Sequence, residues 1–139
     1  MKPRPHRFPP SSRPEGARRG GTEMTLTEFE DAGEFHRTFS QSWLACEAEC
    51  GVLFRIAKAN PPGVRYFAVR GEHGGAALTA CLHPADQVVF AGGGPRAAEH
   101  LAAWLAEQGL DVPGVFAPEA LSAPFAARYT ALTGKAFKL

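Results

Sequence analysis

Three cysteines and five histidines are the side chains of this 139-residue sequence best suited to bind a metal or act as nucleophiles. Cys46 and Cys50 lie four apart and would share one face of a helix. With His36, His73, His83 or His100 they could form a tetrahedral zinc site. Neither C-x-x-C nor H-E-x-x-H occurs, so spacing does not favour a metal and none is expected. Cys81 falls in an apolar run and reads as core. Nothing in the sequence pairs a thiol with a base, so a Cys/His hydrolase is not supported. A second feature is Gly92-Gly93-Gly94 followed by Pro95, Arg96, Ala97 and Ala98. Glycines running into a helix allow an anion to approach unpaired N–H groups at the positive end of the helix dipole. Pro95 suits the first helical position but removes one donor. Arg96 offers a positive charge from inside the first turn. The phosphate-loop pattern G-x-x-x-x-G-K-[ST] is absent, and the same residues also read as a plain turn into a helix. Tyr129, on a helical face with Phe125 and Leu132, suits either a buried ring with its hydroxyl at the rim or a proton donor.

Positioning these residues takes a series of short elements. Met24 to Phe29 reads as a strand with Met24, Leu26 and Phe29 inward. Asp31 and Glu34 have the spacing of a capping box, and Phe35 and Phe39 then share a helical face. Ser40 or Ser42 would cap a second helix running from Trp43 to Ile56, ended by Pro61-Pro62-Gly63. Val64–Val69, Ala76–Leu82 and Gln87–Ala91 are runs of strand formers separated by turn residues, a three-stranded antiparallel meander. A third helix starts at Pro95, buries Ala98, Leu101, Trp104 and Leu105, and stops at Gly109. Val112–Phe116 is a short strand. Ser122 would cap a fourth helix with Pro124 in its first turn, and Gly134 would close it. Residues 135–139 are a terminal strand or a frayed end. The order β-α-α-β-β-β-α-β-α implies an α/β fold of the mixed α+β kind, a central mostly antiparallel sheet with helices on both faces.

Composition narrows the classes. Hydrophobic residues make up 45% and charged residues 21%, ordinary for a soluble globular chain. No apolar run approaches the ~20 residues of a membrane-spanning helix. Residues 1–23 carry six basic and two acidic residues, a charge of +4, leaving −3 for 24–139 in a chain of net +1. Five prolines also lie there, and beyond Met1 the one large apolar residue is Phe8. Such a segment cannot bury enough surface to offset its ordering entropy, and a disordered basic tail ahead of a domain at 24–139 is expected. It lacks the apolar stretch of a secretory signal, so a cytoplasmic protein is expected. A short basic arm is usually a solvated one, and nucleic acid is not expected as a partner.

The sequence resembles the GNAT superfamily, the acyl-CoA-dependent N-acetyltransferases, across about residues 24–135. Trp43-Leu44-Ala45-Cys46-Glu47-Ala48-Glu49-Cys50 is similar to the second helix of the amino-terminal half of bacterial tandem GNAT proteins. Phe67-Ala68-Val69 and Gly75-Ala76-Ala77-Leu78 resemble their hairpin. Gly109-Leu110-Asp111-Val112-Pro113-Gly114-Val115-Phe116-Ala117-Pro118 resembles their G-x-x-x-P-G-V-x-G-P connection, with Ala117 replacing the last glycine. Phe125-Ala126-Ala127-Arg128-Tyr129 and Thr133-Gly134 are similar to the final helix and its cap. The order of these stretches, more than any one of them, carries the likeness.

The resemblance implies acetyl-CoA as cofactor, its pyrophosphate held by Gly92, Gly93, Gly94 and Arg96. This loop departs from the family's R/Q-x-x-G-x-G/A wording. It also implies Tyr129 as the general acid toward the departing CoA thiolate, although the spacing to Gly134 and Phe137 is one residue longer than the family's. Glu47 and Glu49 fall on the substrate side of such a fold, where helix glutamates are usually a solvated face, and no general base stands out. Two functions follow: an N-acetyltransferase passing acetyl from acetyl-CoA to an amine, or a catalytically inactive binding or assembly module. The module would pack on a partner GNAT domain or form a homodimer, as the amino-terminal half of a tandem protein does. The expected discriminator is the gap between the strand ending at Ala91 and the last helix. An open cleft with free amides at Gly93 and Gly94 favours the cofactor, a filled one the module.

Overall fold

The computed structural model describes residues 4–5, 24–45, 47–71, 77–83, 87–135 and 137, with the backbone alone at 4–5 and 47–49. The elements are β1 (Arg4–Pro5), β2 (Met24–Phe29), α1 (Ala32–Ala45), α2 (Glu47–Ala59), β3 (Arg65–Gly71), β4 (Leu78–His83), β5 (Gln87–Ala91), α3 (Pro95–Glu107), β6 (Val115–Phe116) and α4 (Glu119–Thr133). The strands form one sheet in chain order, β1 to β6. Every neighbouring pair is antiparallel except β5 and β6, which are parallel. The α+β class, the mostly antiparallel sheet and the helices on both faces all agree with the sequence reading.

Strand alternation sorts the core into two layers, because successive side chains point to opposite faces. Leu26, Phe67, Val69, Leu78, Ala80, Leu82, Val88 and Phe90 face α3 and α4. Phe29, Tyr66, Ala68, Cys81, Val89 and Ala91 face α1 and α2. The turns joining the meander, 72–76 and 84–86, lie outside the described residues.

Three boundaries differ from expectation. The Asp31 carboxylate accepts the Gly33 N–H at 2.9 Å, so the first helix starts where predicted. It does not stop before Ser40 but runs on to Ala45, and the break falls at 46. Trp43 continues the spacing of Phe35 and Phe39, and its ring meets Phe35 at 5.3 Å. Burial of that apolar row outweighs the capping preference of two serines. At the other end, α4 begins at Glu119 rather than Ser122, with Pro118 as its N-cap. Pro124 is therefore inside the helix, with no N–H for the Ala120 carbonyl. Only Val115–Phe116 of the expected Val112–Phe116 run is strand. Of the basic tail, Arg4 and Pro5 pair with Glu28 and Thr27 of β2, and residues 6–23 lie outside the described set. No helix among the described residues is long and apolar enough to cross a membrane.

Candidate functional site

The parallel pair β5 and β6 touches at only two positions, Val88 with Val115 and Val89 with Phe116. Phe90 and Ala91 complete β5 without a β6 partner, because Ala117 and Pro118 leave the sheet to start α4. The two strands thus part beside the glycine loop. On the α4 side, Phe90 packs on the buried ring of Phe125, with centroids 4.9 Å apart.

All three loop glycines hold positive φ, 85° at Gly92, 77° at Gly93 and 90° at Gly94. A Cβ at Gly92 would stand 2.7 Å from the Ala77 carbonyl oxygen, and one at Gly93 would stand 2.7 Å from the Leu78 amide nitrogen. The loop folds directly over the start of β4, and that approach accounts for both glycines. Gly94 faces open space. It is the N-cap of α3 and supplies no side-chain cap, so the amides of Arg96 and Ala97 open the helix after a proline that has none.

Arg96 lines a groove of about 540 Å³ shared with Glu99, His100 and Ala103 of α3, Pro124, Ala127, Arg128 and Ala131 of α4, and Met24 of β2. The spacing on each helix is i, i+3, i+4, i+7, one continuous stripe. The buried stripe of α3 is a different one, Ala97, Ala98, Leu101, Ala102, Trp104 and Leu105. Among the described residues, Arg96 and Arg128 form no ion pair. Burial lowers the His100 pKa, and the nearby Glu107 carboxylate opposes that shift. The imidazole is therefore mostly neutral at pH 7. Sequence reasoning flagged Arg96 but missed the groove. Its signal was two outward stripes of small and charged residues on neighbouring helices.

Tyr129 lies elsewhere. Its ring is 3% exposed, stacked at 6.0 Å on Phe125 and tilted against Phe137. Its hydroxyl donates to the Leu110 carbonyl at 2.8 Å. Burial raises its pKa, with Lys135 opposing. Leu110 lies just past the C-terminus of α3, whereas the glycines precede its N-terminus. Thirteen residues of helix, roughly 20 Å, separate the phenol from the loop. The structure does not bring Tyr129 and Gly92–Gly94 together.

Cys50 and Cys81 are free and buried. Burial pushes the Cys81 thiol far up in pKa, away from the thiolate a nucleophile needs. Among the described residues no group of three His, Cys, Asp or Glu could hold a metal ion. Cys46, His73 and the side chains of Glu47 and Glu49 fall outside the described set. Comparison with models of known families, with curated proteins and with solved structures finds no match.

Proposed function

We propose that this chain is a GNAT-like binding or assembly module that does not carry out acetyl transfer. The observation that carries this reading is the Tyr129 hydroxyl, which donates its proton to the Leu110 carbonyl at 2.8 Å. A general acid must reach the leaving group, and this hydroxyl belongs to a ring only 3% exposed and is already committed to a backbone carbonyl. The loop supports the same conclusion, since two of its three glycines serve the approach to β4. The surface such a module would offer is the β6 edge, where Phe116 is 50% exposed, with Leu132 of α4 46% exposed. A partner GNAT-like domain or a second copy of this chain fits that apolar edge. Calorimetry and thermal melting with acetyl-CoA test the first half of the reading. No heat and no stabilisation at millimolar ligand are expected, and saturable binding with amine acetylation would overturn it. Sedimentation tests the second half. Self-association lost in Phe116→Ser is expected for the homodimer.

A second reading, an acetyl-CoA-dependent N-acetyltransferase, is favoured by the two-residue contact between β5 and β6 and the uncapped start of α3. In it, an amine nitrogen attacks the thioester carbonyl, the C–S bond breaks, and the departing thiolate takes a proton from Tyr129. Tyr129 would first have to release Leu110. Turnover in the intact chain that disappears in Tyr129→Phe would establish it.

A further inference from the structure

We infer that the groove between the outward faces of α3 and α4 is a binding site for a small phosphomonoester with an apolar body. It shares Arg96 with the first turn after the glycine loop but lies on the outer faces of α3 and α4, and it does not depend on whether the chain transfers acetyl groups. The groove is built from three elements, and its volume of about 540 Å³ is that of a small-molecule cleft. Its walls divide by chemistry. Met24, Ala103, Pro124, Ala127 and Ala131 are apolar and mostly small, leaving room for a compact body. Arg96 and Arg128 enter from different helices.

The two arginines are what point to an anion. Neither Arg96 nor Arg128 forms an ion pair among the described residues, although Glu99 lines the same groove as both. Two guanidiniums lining one cleft suit the bidentate geometry of a phosphate better than a single carboxylate. Among the described lining residues two arginines face one acid, Glu99, a net charge of +1 whose sign favours an anion. Neutral His100 adds a hydrogen-bonding group.

The test is titration of the full chain with phenyl phosphate, inorganic phosphate and benzyl alcohol, by calorimetry and by amide chemical-shift mapping. Phenyl phosphate should bind at least tenfold more tightly than either of the others, with shifts on α3 and α4 at Arg96, Glu99, Arg128 and their neighbours. Arg96→Gln and Arg128→Gln should each weaken it about tenfold, the size expected for one charge-assisted contact. All three groove side chains are exposed, so the variants should melt as the parent does. Glu99→Gln should bind about threefold more tightly, a gain that a purely structural role would not give. Unchanged affinity in the arginine double variant, absence of binding, or shifts confined to Gly92–Gly94 would each overturn the site. The last outcome would instead favour an anion at the loop.

Discussion

The two faces of the sheet are filled by different kinds of side chain. Against α1 and α2 the core is aromatic. Phe29, Phe35, Phe39 and Trp43 meet largely edge to face with centroids between 5.3 and 6.2 Å, a geometry set by ring quadrupoles. Two of its polar groups are paired inside: the Trp43 indole N–H donates to the Thr79 hydroxyl at 2.9 Å, and the Tyr66 hydroxyl donates to Asn60 Oδ1 at 3.1 Å, while the buried His36 Nε2 beside Phe54 has no hydrogen-bond partner among the described residues. Against α3 and α4 the core is chiefly aliphatic, with Leu78, Leu82, Leu101, Leu105, Val88 and Val112 fully buried. Its helices keep free charges on their outer faces, and the parted strands and the open helix start lie on this side. One face is closed by directional contacts. The other is held mainly by aliphatic packing, with the Phe67–Trp104, Phe90–Phe125 and Phe125–Tyr129 ring contacts and the Tyr129–Leu110 hydrogen bond set into it.

The glycine loop joins the two faces, and its residues should respond very unequally to a methyl group. Gly93→Ala adds a Cβ 2.7 Å from the Leu78 backbone at a positive φ. A loss of roughly 4 kcal/mol in denaturant melts is expected, since backbone cannot move aside as a side-chain tip can. Gly94→Ala has the same sign of φ but open space, so backbone strain alone remains, about 1–2 kcal/mol. Equal losses at the two positions would mean that the approach to β4 is not what demands glycine.

Next in size is the polar couple of the aromatic face. Thr79→Val keeps the shape and leaves the buried Trp43 N–H without an acceptor, at about 2 kcal/mol. Trp43 fluorescence should also report the change. On the other face, Tyr129→Phe removes only a hydroxyl bond to a carbonyl near the surface, for about 1 kcal/mol. In the module reading it leaves the response to acetyl-CoA unaltered. A larger loss from Tyr129→Phe than from Thr79→Val would reverse the ranking of the two faces.

Much of this arrangement was legible in the residues. The meander could be read because Val64–Val69, Ala76–Leu82 and Gln87–Ala91 are runs of strand formers between turn residues, a local pattern. The helix break at 46 could not, because Ser40 and Ser42 carry a real capping preference that the row Phe35, Phe39, Trp43 overrides through contacts with the distant residues Phe29 and Thr79. Glu119–Leu121 could not be read as helix, since Pro118 and Pro124 flank it and suggest a later start. At the candidate site, the glycines were visible, but their reason lay in Ala77 and Leu78, fourteen or more residues away in sequence. Tyr129 was visible as an aromatic on an apolar face. Its partner is a backbone carbonyl, which leaves no trace in a sequence.

The faces should also differ at high pH, by the smallest and most gradual effect. Burial raises the Tyr66 pKa to about 12, with the buried Cys81 thiol beside it acting in the same direction. In the unfolded chain the phenol titrates near 10. Between pH 10 and 12 the unfolded state therefore loses a proton that the folded state keeps. Stability must fall as pH rises through that window, and it is complete below it. Tyr66→Phe cannot ionise, so its melting midpoint should decline less steeply between pH 10 and 12 than that of the parent chain. Tyr129, also raised by burial but with Lys135 opposing the shift, should contribute a shallower slope, and Tyr129→Phe should flatten the curve less. If the two variants flatten it equally, the aromatic face excludes water no better than the face that carries the groove.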